Sequence, residues 1–297
     1  MSCAPLLRVG FSHVLVAIDF SQSSEKALRH GVAIAQHYGA DFYLSHVVAS
    51  LGYTLAGGEA VALAEAAALK DALRRETELV ESGALACVPH HLIVSQGEIW
   101  KELQQIVQKQ KIDLIVLGTH GRTGLRKLVM GSVAEQIFRH ASCPVLTVGP
   151  FAGNPSTNLK LRHVLCCTDL APESALGAQY AISVAREHGA QLTLLHILEP
   201  RQQEIPDRVR VLSGLEQEMR KQVPEGVCLP YEPNFRIETG PIVETILEVA
   251  DDLVADLIVM GLHAAHGLAE HLRWRHAYPV ICQAPCPVLT VRSPGSF

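Results

Sequence analysis

The sequence has little net charge, few aromatic residues and no long apolar run. Its formal charge is -5 over 297 residues, so no basic surface is expected to attract nucleic acid or an anionic membrane. No apolar run approaches the roughly 20 residues that span a bilayer. The 48% apolar content is too high for a disordered chain. These features predict a globular protein of about two domains, at roughly 150 residues each.

Cysteines are few and thinly spread for a disulfide framework. None of the eight lies at a C-x-x-C spacing, and Cys166 and Cys167 are adjacent within an apolar run. Buried, reduced thiols in a cytoplasmic protein are therefore expected. The segment before Asp19 has no basic start and no small-residue cleavage site, so no secretory signal is expected.

Motifs of metal sites and of several enzyme classes are also missing. The 15 histidines include no H-E-x-x-H motif and no Cys/His set at zinc spacing, so no metal site is expected. The G-x-S-x-G motif of hydrolases does not occur, nor do the H-x-G-H and S-G-G-x-D-S motifs of nucleotidyl transferases. A dedicated enzyme is not expected.

The sequence is instead an internal repeat. The segment HVLVAID recurs as HVLCCTD at an offset of 150, and CPVLTV recurs unchanged at an offset of 143. A Pro/Gly/Asn/Ser-rich segment at 150–158 separates the copies. We therefore expect two domains, residues 1–150 and residues 159–297.

Each copy alternates apolar, β-branched runs with helical patterns, which predicts a parallel sheet covered on both faces. The fold class expected is α/β, with two tandem doubly wound parallel-sheet domains of the Rossmann-like type. Gly39 occupies the position of a helix C-cap. In the first copy we predict strands at 14–18, 41–48, 88–95, 114–118 and 145–148, and helices at 24–38, 59–82, 99–110 and 133–140. Ligands of such sheets bind beyond the carboxyl ends of the strands.

A glycine-rich segment follows the fourth predicted strand. We expect its glycines to adopt positive φ and to let the backbone approach a ligand; they are Gly118, Gly121, Gly124 and Gly131. Ser132 and Glu135 have the S-x-x-E spacing of a capping box that would begin the next helix. Free N–H groups at that helix start, the Ser132 hydroxyl and Arg122 would hold a phosphate. The alternative is an ordinary glycine loop with an N-cap serine.

This segment does not match two better-known phosphate loops. No G-K-[ST] follows at Walker A spacing. The dinucleotide fingerprint follows a first strand, whereas these glycines follow the fourth.

The sequence resembles the universal stress protein family over nearly its whole length. The family's ATP-binding subgroup carries G-x2-G-x9-G-[ST], which Gly118, Gly121, Gly131 and Ser132 match. The resemblance implies the adenine nucleotide alpha hydrolase-like fold. It also implies binding of ATP or another adenine nucleotide, with or without Mg²⁺. The implied site is Asp19, Val47, Leu117, Gly118, Gly121, Arg122, Gly131, Ser132 and Val133.

Two of these implied roles have structural alternatives. Asp19 also suits capping of a strand–helix turn. Val47 would contact adenine only through its backbone, so its side chain could belong to the core. Family members pair through their last strands, so a tandem chain resembles a covalently linked dimer, and a further homodimer is an open alternative.

The second copy has lost most of the glycine pattern. The residues that correspond to Gly121, Gly131, Ser132 and Glu135 are Ala264, Trp274, Arg275 and Tyr278. An indole would obstruct the phosphate loop, so this copy is expected not to bind ATP in the family's manner. We expect its helix to start later or differently, because Pro279 suits a first helical turn. The second copy either serves as a structural partner of the first copy or binds another ligand.

The function expected is a nucleotide-dependent stress-response or signalling module, with ATP bound by the first copy. The alternatives are an interaction module that binds no nucleotide and a slow ATPase. No membrane or nucleic-acid partner is expected, and the sequence names no protein partner.

Overall fold

The computed structural model describes residues 9–50, 58–119, 131–155, 159–199, 208–262 and 269–292. These residues form one twisted sheet of ten strands with helices on both faces. Within the described ranges, no helix is both long enough and apolar enough to cross a membrane. We refer to residues 9–155 as the first half and to residues 159–292 as the second half.

Strands and helices alternate in both halves. The first half contains β1 (His13–Ala17), α1 (Gln22–Tyr38), β2 (Asp41–Ala49), α2 (Gly58–Glu81), β3 (His90–Gly97), α3 (Ile99–Lys109), β4 (Leu114–Gly118), α4 (Ser132–His140) and β5 (Val145–Val148). The second half contains β6 (His163–Cys167), α5 (Ala175–His188), β7 (Gln191–Leu198), α6 (Arg208–Lys221), β8 (Asn234–Thr239), α7 (Ile242–Asp252), β9 (Leu257–Leu262), α8 (Ala269–Gln283) and β10 (Val288–Arg292).

The strand order is β3-β2-β1-β4-β5-β10-β9-β6-β7-β8. Neighbouring strands are parallel within each half, which confirms the predicted α/β class with a parallel sheet. At the centre, β5 and β10 are antiparallel, with Leu146 opposite Leu289. The carboxyl ends of the strands therefore lie at opposite edges of the sheet in the two halves.

The antiparallel junction is reinforced by side chains from both last strands. The Thr290 hydroxyl donates to the Val145 carbonyl (3.1 Å), and the Thr147 hydroxyl donates to the Val288 carbonyl (3.4 Å). The guanidinium of Arg292 donates to a carbonyl of α4 (3.0 Å). One hydrophobic core lies on each face of the sheet, and each contains residues of both halves.

Local signals explain most element boundaries. Gly39 caps α1 at φ 64°, as predicted, and Gly189 caps α5 at φ 65°. The observed strands lie within about two residues of the predicted ones. The last helix of the second half does start differently from α4, but the alternative of a later start is wrong. That helix, α8, begins at Ala269, so Pro279 lies in its interior and not in its first turn.

Candidate functional site

A cavity of about 270 Å³ opens at the carboxyl edge of the first half. It lies at the carboxyl ends of the neighbouring strands β1 and β4, where the chain leaves β1 toward β2 on one side and leaves β4 toward β5 on the other. Ligands of doubly wound sheets bind at this topological switch point. We call it the first-half cavity. Its polar lining comprises Asp19, Ser24, Ser45, His46, Thr119 and Ser132.

The turn after β1 is held by its own side chains. The backbone N–H of Ser21 donates to Oδ1 of Asp19 (3.0 Å), and Ser21 in turn caps α1 by accepting from the N–H of Ser24 (3.3 Å). Between them, Phe20 adopts a left-handed φ of 61°. Asp19 therefore lines the cavity and also stabilises the turn, while the helix cap itself is Ser21.

His46 is a cavity residue absent from the predicted site. Its ring is buried, and Nδ1 lies 2.7 Å from the Ile18 carbonyl oxygen. A carbonyl can only accept, so Nδ1 carries the proton. The ring thereby ties the end of β2 to the end of β1. Its recurrence as His196 at an offset of 150 is the sequence signal that could have identified it.

Gly118 is needed for close packing, and not for positive φ as predicted. A Cβ at Gly118 would lie 2.7 Å from the carbonyl carbon of Ser23, so only glycine lets the end of β4 approach α1 so closely. The φ of Gly118 is not positive, and that of Gly131 is −64°. The positive φ predicted for these two glycines is therefore wrong.

The ends of the glycine loop are joined by a backbone hydrogen bond. The N–H of Gly131 donates to the Thr119 carbonyl (3.0 Å), and the N–H of Thr119 donates to the Val148 carbonyl (3.3 Å). Gly121, Arg122 and Gly124 lie outside the described residues. The structure therefore places both ends of the predicted phosphate loop at the cavity.

The capping box predicted at the start of α4 is wrong. Gly131 is the N-cap, Ser132 is already the first helical residue, and no side chain caps the helix. Glu135 instead forms an ion pair with Arg139, one turn later (2.8 Å). The first N–H groups of a helix have no partner within it. Ser132, Val133 and Ala134 line the cavity, so the start of α4 presents an anion-binding end there.

Most of the predicted site residues meet in this one cavity. Its lining includes Asp19, Val47, Leu117, Gly118, Gly131, Ser132 and Val133. Val47 is also a member of the hydrophobic core, so its side chain packs while it lines the cavity. The apolar lining residues Ile99, Leu103 and Ile137 were not predicted, because their spacing is that of ordinary helix core positions.

The second half has a corresponding cavity of about 310 Å³ at its own carboxyl edge. The β6 turn repeats the first in detail: Oδ1 of Asp169 accepts from the N–H of Ala171 (3.0 Å), Leu170 has φ 63°, and Nδ1 of His196 donates to the Thr168 carbonyl (2.9 Å). Leu195 replaces the Ser45 of the first cavity. This cavity, the second-half cavity, is therefore less polar where the two strands end.

Neither cavity offers a metal cluster or an activated thiol in the described ranges. No group of three or more His, Cys, Asp or Glu side chains there could hold a metal ion. Cys167 lines the second-half cavity, but burial raises its pKa well above the ordinary value, so the thiol stays protonated near pH 7. The described lining is suited to binding through backbone and hydroxyl groups.

Comparison with known proteins identifies the repeat. The family model described as Universal stress protein family matches residues 10–149 and residues 160–292. Universal stress protein MJ0531 of Methanocaldococcus jannaschii is 31% identical over 142 residues, which are 46% of this chain and 82% of the relative. A universal stress protein of Mycolicibacterium smegmatis is 24% identical over 295 residues, covering 94% of this chain and 96% of the relative.

A solved structure shows the same architecture. A universal stress protein from Archaeoglobus fulgidus superposes with a TM-score of 0.68 at 19% identity, covering 94% of this chain and 98% of that one. Another solved universal stress protein is in complex with cAMP; it aligns at 20% identity and a TM-score of 0.34, covering 46% of this chain and 99% of its own.

Proposed function

Since the chain belongs to the universal stress protein family, with two copies of the family's domain, we propose that its first half binds an adenine nucleotide in the first-half cavity. Occupancy of that cavity would then regulate association with other proteins in a stress response. The observation that carries the proposal is the convergence of Asp19, Val47, Gly118, Gly131 and Ser132 on one cavity at the switch point.

The two ends of the cavity suit the two ends of a nucleotide. Apolar side chains and the backbone near Val47 suit a flat base, while the start of α4 suits a phosphate because the first residues of that helix line the cavity. Gly131 leaves space there, since it has no side chain. With no metal cluster among the described residues, an accompanying Mg²⁺ would be held mainly by the phosphates and water.

Titration calorimetry with ATP tests this proposal directly. We expect about one nucleotide per chain, and no heat of binding would contradict the proposal. The absence of binding heat is the result expected for the alternative function, an interaction module that binds no nucleotide.

Substituting Gly131→Trp copies the residue that the second half carries at the corresponding position. We expect nucleotide affinity to fall at least roughly a hundredfold, about 3 kcal/mol, because the indole would fill the phosphate end of the cavity. Gly214→Trp is the matched control, since a Cβ at Gly214 on α6 meets no atom within 4 Å. Unchanged ATP affinity in the Gly131→Trp protein would show that the phosphates bind elsewhere.

We propose that the protein acts through binding, without a dedicated catalytic step. Phosphate release from ATP is then expected to be no faster for the natural chain than for Gly131→Trp. Faster release by the natural chain would favour the slow ATPase alternative. A chromogenic phosphate assay over several hours separates the two.

We further propose that the two halves work as one pair in the cytoplasm. None of the seven cysteines within the described ranges forms a disulfide, which agrees with a reducing compartment. Whether this paired chain forms a further homodimer is measured by sedimentation with and without ATP.

A further inference from the structure

A third cavity, of about 410 Å³, lies between the halves. It is bounded by α1 and α5, which cover the same face of the sheet, and by the segments on either side of residues 156–158. We call it the junction cavity. Its apolar wall includes Phe11, Ile34, Leu146, Val184, Leu257 and Leu289. It shares no described lining residue with the first-half or the second-half cavity.

The wall of the junction cavity is apolar and comes from both halves. Leu146 and Leu289 face each other across the β5–β10 junction, and both belong to the core beneath α1 and α5. The cavity is open to solvent at its rim, where Lys160, Arg162 and Val254 are exposed. A cleft of several hundred Å³ with apolar walls has the size of a small-molecule site.

The polar groups of the junction cavity favour an anion. Lys160 and Arg162 both line it, and Asp256 is the one carboxylate among its described lining residues. That carboxylate already accepts from the backbone N–H groups of Arg162 (2.7 Å) and His163 (3.0 Å). Two cationic side chains therefore line the cavity together with one acid, whose Oδ2 already accepts two backbone hydrogen bonds.

Two lining histidines contribute polarity without adding charge near pH 7. Nε2 of His30 donates to the Gly153 carbonyl (2.9 Å), and burial lowers the pKa of His30. Burial also lowers the pKa of His188, and the neighbouring His37, stacked on it at 4.5 Å, lowers it further. Both rings are therefore neutral hydrogen-bonding groups at the edge of an apolar space.

The helix ends limit how much negative charge the cavity can hold. Tyr38 and His188 are the last residues of α1 and α5, and both line the cavity. The carbonyl end of a helix carries partial negative charge, which disfavours a multiply charged phosphate. A ligand with a single anionic group suits the cavity, because that group can lie beside Lys160 and Arg162 while the total negative charge near the helix ends stays small.

We propose that the junction cavity binds an amphipathic organic monoanion, with an apolar aliphatic or aromatic body and one carboxylate or sulfonate. The body lies against Leu146, Val184 and Leu289, and the anionic group lies beside Lys160 and Arg162. This site is independent of nucleotide binding, because the two cavities have separate linings.

The probe for the full-length chain is anilinonaphthalene sulfonate, whose fluorescence rises in apolar sites. We expect saturable binding of one probe per chain in the presence of saturating ATP. Decanoate should displace it at least roughly tenfold more effectively than decanol, which has the same tail without the charge. Failure of decanoate to displace the probe, or equal displacement by decanol, would overturn the proposal.

Two kinds of variant locate the probe. The double substitution Lys160→Glu and Arg162→Glu should weaken decanoate binding roughly tenfold, whereas Lys101→Glu with Lys109→Glu on α3 makes the same charge change outside the cavity and should not. Leu289→Trp should abolish probe binding by filling the space, while Leu73→Trp, at an exposed position of α2, should not. If the Leu289→Trp protein does not fold, the double substitution Lys160→Glu and Arg162→Glu tests the site by itself. Unchanged binding in the charge-reversed protein would refute the site.

Discussion

At the scale of single residues, glycines in the same motif act for different reasons. Gly118 is required by packing, because a Cβ there would meet the backbone of Ser23 at 2.7 Å. Gly131 is an N-cap of ordinary φ whose missing side chain leaves the cavity open. The sequence predicted one reason for both glycines, a positive φ, which neither residue has. The packing reason at Gly118 could not be predicted, because it lies in a helix about 95 residues earlier in the chain.

A buried carboxyl on α2 makes stability depend on pH. Glu76 is 2% exposed, none of the described side chains or backbone groups donates to its Oε1, and burial raises its pKa from 4.5 to about 7. The folded protein therefore holds this proton more tightly than the unfolded chain does. The associated stability is complete below pH 4.5 and is lost as the pH rises through 7.

We predict that Glu76→Gln stabilises the protein at pH 8 by roughly 3 kcal/mol and much less at pH 5, because glutamine cannot ionise. Urea unfolding at the two pH values measures the difference. Glu81→Gln, an exposed position at the end of the same helix, is the control and should change stability little at either pH. Parallel pH profiles for the natural chain and Glu76→Gln would contradict this account of Glu76.

At the scale of elements, strands were easier to predict than helix starts. The apolar runs of β1 and β4 are long and recur in both copies, so their positions follow from the sequence alone. The S-x-x-E spacing at Ser132 was satisfied without forming a capping box, because α4 starts one residue earlier than that motif requires. Pro279 lies inside α8, where proline removes one backbone hydrogen bond, so its preference for a first turn did not locate the start of this helix.

The early start of α8 gives a prediction about the second half. Because α8 already begins at Ala269, it occupies backbone that corresponds to the glycine loop of the first half. Replacing Trp274→Gly and Arg275→Ser should therefore not create a nucleotide site there. In a chain that also carries Gly131→Trp, calorimetry should show no ATP binding. Recovered binding would mean that side chains alone, and not the helix start, inactivate the second half.

At the scale of the whole molecule, the two halves are joined by the pairing of β5 with β10. On its other side, β5 pairs with β4 of its own half. Removing the second half would expose the edge of β5, whose four residues are all buried in the intact chain. Exposed edges pair with other strands. We predict that residues 1–155 alone form a homodimer through β5, measurable by sedimentation.

A charge on that edge should prevent the pairing. Thr147→Lys in the isolated first half should give a monomer, because lysine on an edge strand opposes association. The unsubstituted fragment is the comparison. A monomeric unsubstituted fragment at high concentration would show that β5 does not drive pairing.

The short connection between β5 and β6, residues 149–162, has a consequence for how this protein could diversify. Joining two binding partners in one chain gives an effective concentration in the millimolar range for short linkers, whatever the amount of protein in the cell. The stoichiometry of the halves is also permanently one to one. Free subunits must keep one sequence that pairs with itself, whereas tethered halves need only fit each other. Each half can then acquire substitutions that the other does not share, as the loss of the glycine pattern after β9 illustrates.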